Sequence, residues 1–126
     1  MGRRGRPRGP GSVSRRRGRQ AALNRGDIYD VELQGGRRPV VIVTRDRAIP
    51  LLANVTVTAV TATVRGLPTE VPIGKGEGVT RESVVNCDNL FTIPKSALGR
   101  RGGRLSPASL ERLRAALLIA LDLERL

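Results

Sequence analysis

Alternation of apolar and polar residues first becomes regular at Asp27. In Asp27–Leu33 (DIYDVEL), Tyr29, Val31 and Leu33 share one face while Asp30 and Glu32 share the other, the period-two pattern of a half-buried strand. Gln34-Gly35-Gly36 is turn chemistry, and Pro39–Thr44 (PVVIVT) is an apolar run that reads as a strand covered on both faces, with its proline tolerated at the start. Asn54–Val64 (NVTVTAVTATV) is almost entirely β-branched or Ala, so it reads as strand, but its apolar face changes sides. Val55, Val57 and Ala59 continue in the same parity as Thr61 and Thr63, whereas Thr56 and Thr58 continue as Val60 and Val64. Such a switch predicts a bend or bulge, which places the hydroxyls of Thr61 and Thr63 on a different surface from those of Thr56 and Thr58.

The pattern goes on with a turn at Arg65–Pro68, a short strand at Thr69–Ile73 and a second turn, GKGEG, at Gly74–Gly78. A long strand-like stretch follows at Glu82–Ile93, and Gly99–Gly103 reads as a break. From Ser106 the period becomes helical. Ser106 is a good N-cap, Pro107 suits the first helical position, and Leu110, Leu113, Leu117, Ala120 and Leu121 recur on one face with Glu111, Arg112 and Arg114 outward. Five strands closed by one helix, without βαβ alternation, predict a mainly β fold, a small bent β-barrel with a C-terminal helix.

Composition changes this picture mainly at the N-terminus. The chain of 126 residues has a formal net charge of +12, and nine arginines with no acid lie in Met1–Arg25. The remainder holds fourteen basic and eleven acidic residues, so the body is only mildly cationic. Residues 1–24, rich in Arg, Gly, Pro and Ser, have too little apolar surface to offset the entropy of ordering and are expected to be a disordered tail on a domain spanning 25–126. The tail reads either as an arm that grips nucleic-acid phosphates or as a start with no specific role. No apolar run is long enough to span a membrane. Cys87, the one cysteine, excludes an internal disulfide, reads as a small core residue and fits a reducing, cytoplasmic setting.

The absences narrow the chemistry. With no histidine there is no Ser/His/Asp triad and no imidazole-based metal site, and the scattered acids suggest no metal or cofactor. Arginine plus hydroxyl remains. A guanidinium matches phosphate oxygens and stabilises charge building there, but it is no conventional base. That combination suits a reaction whose nucleophile is already in the substrate, as the RNA 2′-hydroxyl is beside its scissile phosphate. On spacing alone, an arginine flanking a strand in solvent is the plainer reading.

Four segments in order, RGDIYDVEL, RRPVVIVTRD, NVTVTAVTATVRGLPTEVPI and ESVVNCDNLFTI, together with the helix opening RLSPASL, resemble the MazF/PemK family of toxin endoribonucleases. The resemblance covers Arg25 to about Leu123. It implies an SH3-like barrel used as a homodimer, metal-independent cleavage of single-stranded RNA to 2′,3′-cyclic phosphate and 5′-hydroxyl ends, and inhibition by a cognate antitoxin. Carried over by motif, the catalytic arginine falls on Arg38 and the catalytic threonine on Thr61, with Thr63 a weaker candidate. Arg25, Arg37, Arg65 in the basic turn, Ser83 and Asn89 are the expected RNA contacts, each equally readable as a structural or solvated residue; Asp27 lines the groove or caps a turn. The connection at Gln34–Arg37 is shorter than the loop many members fold over the site, which implies an altered base preference. Two other classes compete. One is a non-catalytic RNA-binding module, disfavoured by having only Tyr29 and Phe91 as aromatics. The other is a gyrase-directed toxin of the CcdB type, disfavoured by a terminus, DLERL, without Trp.

Overall fold

The computed structural model describes residues 23–124. Six strands form one antiparallel sheet: β1 (Asp27–Leu33), β2 (Gly36–Ile42), β3 (Asn54–Thr61), β4 (Glu70–Ile73), β5 (Ser83–Pro94) and β6 (Leu98–Arg104), in the order β4-β5-β3-β2-β1-β6. Among the described residues one α-helix, α1 (Pro107–Ala120), packs with this sheet.

β1 and β2 form a hairpin whose register pairs Glu32 with Arg37 and Val31 with Arg38. Gly35, at φ 89°, makes the tight reversal that a side chain would strain. Val40, Val41 and Ile42 are all buried, so β2 is covered on both faces as its unbroken apolar run requires. Two core clusters result. Ile28, Val41, Val60, Val85 and Cys87 pack with Leu113 and Ala116 of α1 on one side. Tyr29, Val31, Val40, Ile42, Val55 and Val57 pack on the other, capped by Ile49 from a 3-10 turn at Ile49–Leu51.

The β3–β5 register shifts between Thr58 and Ala59, where β3 advances one residue while β5 passes from Leu90 to Asn86, so the extra residues lie on β5. Val57 and Val60, three residues apart, face opposite clusters by ordinary alternation, which is the change of apolar side read in the sequence. The strand stops at Thr61, three residues short of the predicted end, because 62–64 have no pairing partner.

β6 corrects the reading of Gly99–Gly103 as a break. LGRRGGR has no apolar alternation, yet it pairs along β1 with two register shifts. Its backbone holds it, and as a glycine- and arginine-rich edge strand it discourages further pairing. Gly103 and Gly78 also let β6 and the turn after β4 meet backbone to backbone: a Cβ on Gly78 would collide with the Gly102 carbonyl, and one on Gly103 with the Glu77 carbonyl. This seam brings the two ends of the sheet order together.

α1 begins as its sequence dictates. Ser106 Oγ accepts the Ser109 N–H at 3.1 Å, and the Ser106 N–H donates to Glu77 Oε2 at 3.0 Å, tying the helix to the same turn. Leu113 and Ala116 are its buried contacts, while Leu121 lies beyond its end and half exposed. Toward the N-terminus, Leu23 packs on the second cluster and the Asn24 N–H donates to Asp27 Oδ2 at 2.9 Å, so contacts begin two residues before Arg25. The rest of the expected disordered tail, residues 1–22, lies outside the described residues.

Candidate active site

The adjacent arginines of β2 have opposite electrostatic fates. Arg37 reaches back across the hairpin, donating to Asp30 Oδ1 at 2.6 Å and to Glu32 Oε1 at 3.0 Å. The hydrogen bond to Asp30 raises the Arg37 pKa further, and the same bond, with the Arg100 N–H at 2.8 Å, holds the Asp30 carboxyl below its ordinary value. Arg38 is exposed and forms no ion pair among the described residues. Its guanidinium folds toward the hairpin turn, where a Cβ on Gly35 would stand 3.3 Å from Nη2. Of two like charges side by side, one is neutralised and the other stays available to an anion.

Arg38 also lines a cleft of about 430 Å³. Its walls include Arg38 and Pro39 of β2, Thr61 at the end of β3, Ser83 at the start of β5, and Thr80 and Arg81 just before it. Tyr29 and Asp30 of β1 and Arg100 of β6 complete it. Thr61, the last residue of β3, pairs with Val84, and its Oγ1 accepts the Thr63 N–H at 3.1 Å, which leaves the hydroxyl proton free to donate. Ser83 is buried and spends its proton on the Arg81 carbonyl at 2.9 Å, holding the loop that carries Arg81.

The other threonines of β3 are occupied elsewhere. Thr58 donates to the Asn86 carbonyl, and Thr56 pairs with Thr92 beside a second cavity that contains neither Arg38 nor Thr61. Chemically, the first cleft has both a fixed positive charge and a hydroxyl among its lining residues, a pair suited to a phosphate. Among the described residues no group of three or more Asp, Glu or Cys could hold a metal ion.

Comparison with known proteins decides the lineage. Residues 24–121 match the family described as "PemK-like, MazF-like toxin of type II toxin-antitoxin system". The chain belongs to that family. It is 48% identical over 87 residues to endoribonuclease MazF3 of Mycobacterium tuberculosis, covering 69% of this chain and 84% of the relative. Among solved structures, Mycobacterium tuberculosis toxin MazF-mt6 superposes with a TM-score of 0.73 at 44% identity, over 79% of this chain and 99% of that one. An endoribonuclease in complex with its cognate antitoxin, from a mycobacterial species, gives a TM-score of 0.76 at 33% identity, over 83% and 100%. With relatives this similar carrying the activity, the chain is an endoribonuclease.

Within this MazF-like toxin, Arg38, Thr61, Ser83 and Arg37 are brought to one cleft, and the other expected contacts are not. Arg25 donates through Nε to the Val43 carbonyl at 3.2 Å and its N–H bonds Asp46 Oδ1 at 2.7 Å, away from the cleft lining. Arg65 lies in an exposed turn whose amides, at 65, 66 and 67, converge on the Glu70 carboxylate. Thr63 and Asn89 are exposed and outside the lining. Asp27 is buried and braces the fold, with Arg101 Nη2 at 3.6 Å and Arg104 Nε at 3.7 Å from Oδ1. Sequence reading missed Asp30, Arg81 and Arg100. Arg81 was findable, since it directly precedes the ESVV motif; Arg100 was not, because its strand carries no alternation.

Proposed function

We propose that this MazF-like toxin cuts single-stranded RNA at a short sequence, without a metal ion, by attack of the 2′-hydroxyl on the adjacent phosphorus. The bond from phosphorus to the 5′-oxygen breaks, leaving a 2′,3′-cyclic phosphate and a 5′-hydroxyl. The observation that carries this reading is the cleft in which an unpaired Arg38 and the Thr61 hydroxyl line one space. Arg38 forks onto the non-bridging oxygens and stabilises the charge that grows on them; always protonated, it enters proton transfer as donor to the departing 5′-oxygen, and the proton released by the 2′-hydroxyl restores it through solvent. Thr61 donates to the same group. Arg81 and Arg100 add positive potential along the strand's path.

The same reading carries partners and place. An antitoxin with a flexible acidic segment would lie in the basic cleft and exclude RNA, in keeping with the mycobacterial endoribonuclease whose structure is in complex with its cognate antitoxin. A homodimer is proposed, supported by the exposed Leu51 and Leu52 on a domain with a small core. Its RNA substrate would be met in the cytoplasm. Among the described residues, no helix is long and apolar enough to cross a membrane.

Digesting a mixed RNA pool with EDTA present, then sequencing the new 5′-hydroxyl ends, tests activity, metal independence and sequence preference together. Ends clustered at one short word are expected from the parent and are expected to vanish with Arg38→Ala. A parent that yields no ends in EDTA, or an Arg38→Ala variant that cuts as fast, would overturn the reading.

A further inference from the structure

A carboxylate on the wall of an RNA cleft repels phosphates, so Asp30 needs an account beyond phosphate binding. Part of it is structural. Oδ1 accepts both Arg37 Nη2 at 2.6 Å and the Arg100 N–H at 2.8 Å, and Arg37 is itself steadied by Glu32 at 3.0 Å. Gly99 leaves the room for this assembly: a Cβ there would fall on Arg37 Nη2 and Asp30 Oδ1. All of that uses one oxygen. Oδ2 takes no hydrogen bond among the described residues, and the side chain is 34% exposed beside the cleft. Arg37 and the Arg100 N–H also keep the carboxyl ionised by lowering its pKa.

We propose that Asp30 is a specificity-determining residue: its Oδ2 accepts a hydrogen bond from the exocyclic amino group of one base of the bound strand. The inference rests on the RNA-cleaving reading above. An oriented, ionised acceptor meets the amino hydrogens of cytosine N4, adenine N6 or guanine N2, whereas uracil has no amino group and offers only its N3–H, flanked by two carbonyl oxygens that repel a carboxylate. Cytosine fits best. A guanine edge favours a carboxylate with both oxygens free, and here Oδ1 already holds two donors.

The experiment uses short RNAs carrying the cleavage word found in the pool digest, with each base exchanged in turn, against the parent, Asp30→Asn and Arg37→Gln. At one position the parent should prefer an amino-bearing base over uracil by about tenfold. Substituting the analogue that lacks the amine (2-pyrimidinone riboside, purine riboside or inosine) should remove that preference. Asp30→Asn should level the analogue and its natural base to within about twofold, while Arg37→Gln, which keeps the carboxylate and its Arg100 N–H bond, should retain the preference. Equal discrimination by Asp30→Asn and the parent overturns the inference. If Asp30→Asn does not fold, the parent decides: an amine that can be removed at every position without effect overturns it. A parent that cuts none of these RNAs overturns the proposed function itself, a separate result.

Discussion

Arg37 and Arg38 show how little residue type says about role. They share a side chain and a strand, and differ only in whether Asp30 and Glu32 are within reach. Thr61 repeats the lesson against Thr58, which spends its proton on a backbone carbonyl. Thr61→Val is therefore expected to slow single-turnover cleavage by about 10–100-fold, with Arg38→Ala slower still, since a donor to a forming charge contributes less than the charge opposite it. The reverse order in quench-flow rates would make the hydroxyl the principal group. Cys87 belongs to the core alone. Burial pushes its thiol from 9.0 to about 11, so between those pH values the unfolded chain loses a proton that the folded one keeps. Stability from this group is complete below pH 9 and declines as pH rises toward 11. Thermal melts across that range should fall less steeply for Cys87→Ala than for the parent, and alkylation of the native thiol at pH 8 should be slow until the protein unfolds.

At the scale of elements, what the chain announced and what it hid follow one distinction. β1, β2, the change of apolar side in β3 and the cap of α1 were legible because side chains specify them: alternation, an unbroken apolar run, a swapped face and Ser106 before Pro107. β6 was illegible because its specification is backbone pairing plus the absence of side chains at Gly99 and Gly103. The cleft inherits both. Arg38 and Thr61 came from legible elements and a family motif, whereas Arg100 came from β6. Gly103→Ala should accordingly destabilise by more than a mid-strand glycine substitution ordinarily would, because its Cβ meets the Glu77 backbone and no flexible side chain. Denaturant unfolding is expected to show a loss of about 2 kcal/mol or more. Ser106→Ala removes only the cap and should cost about 1 kcal/mol.

For the whole molecule, charge and shape act separately. The described body is mildly cationic, and most of the excess charge lies in the arginines of the first 25 residues. Removing residues 1–22, while keeping Leu23 and Asn24 because they contact the body, should flatten the salt dependence of RNA affinity and leave single-turnover cleavage within about threefold. Loss of cutting in that truncated protein would give the arginines a part in the chemistry.

The β1–β2 reversal through Gln34 and Gly35 is too brief to drape over anything. A strand of RNA arriving at Arg38 therefore finds no flap from this hairpin to displace, and none to order once it is seated. Capture should be governed by diffusion and ionic attraction, with little temperature dependence beyond that of the solvent's viscosity, and departing fragments should meet no door on their way out.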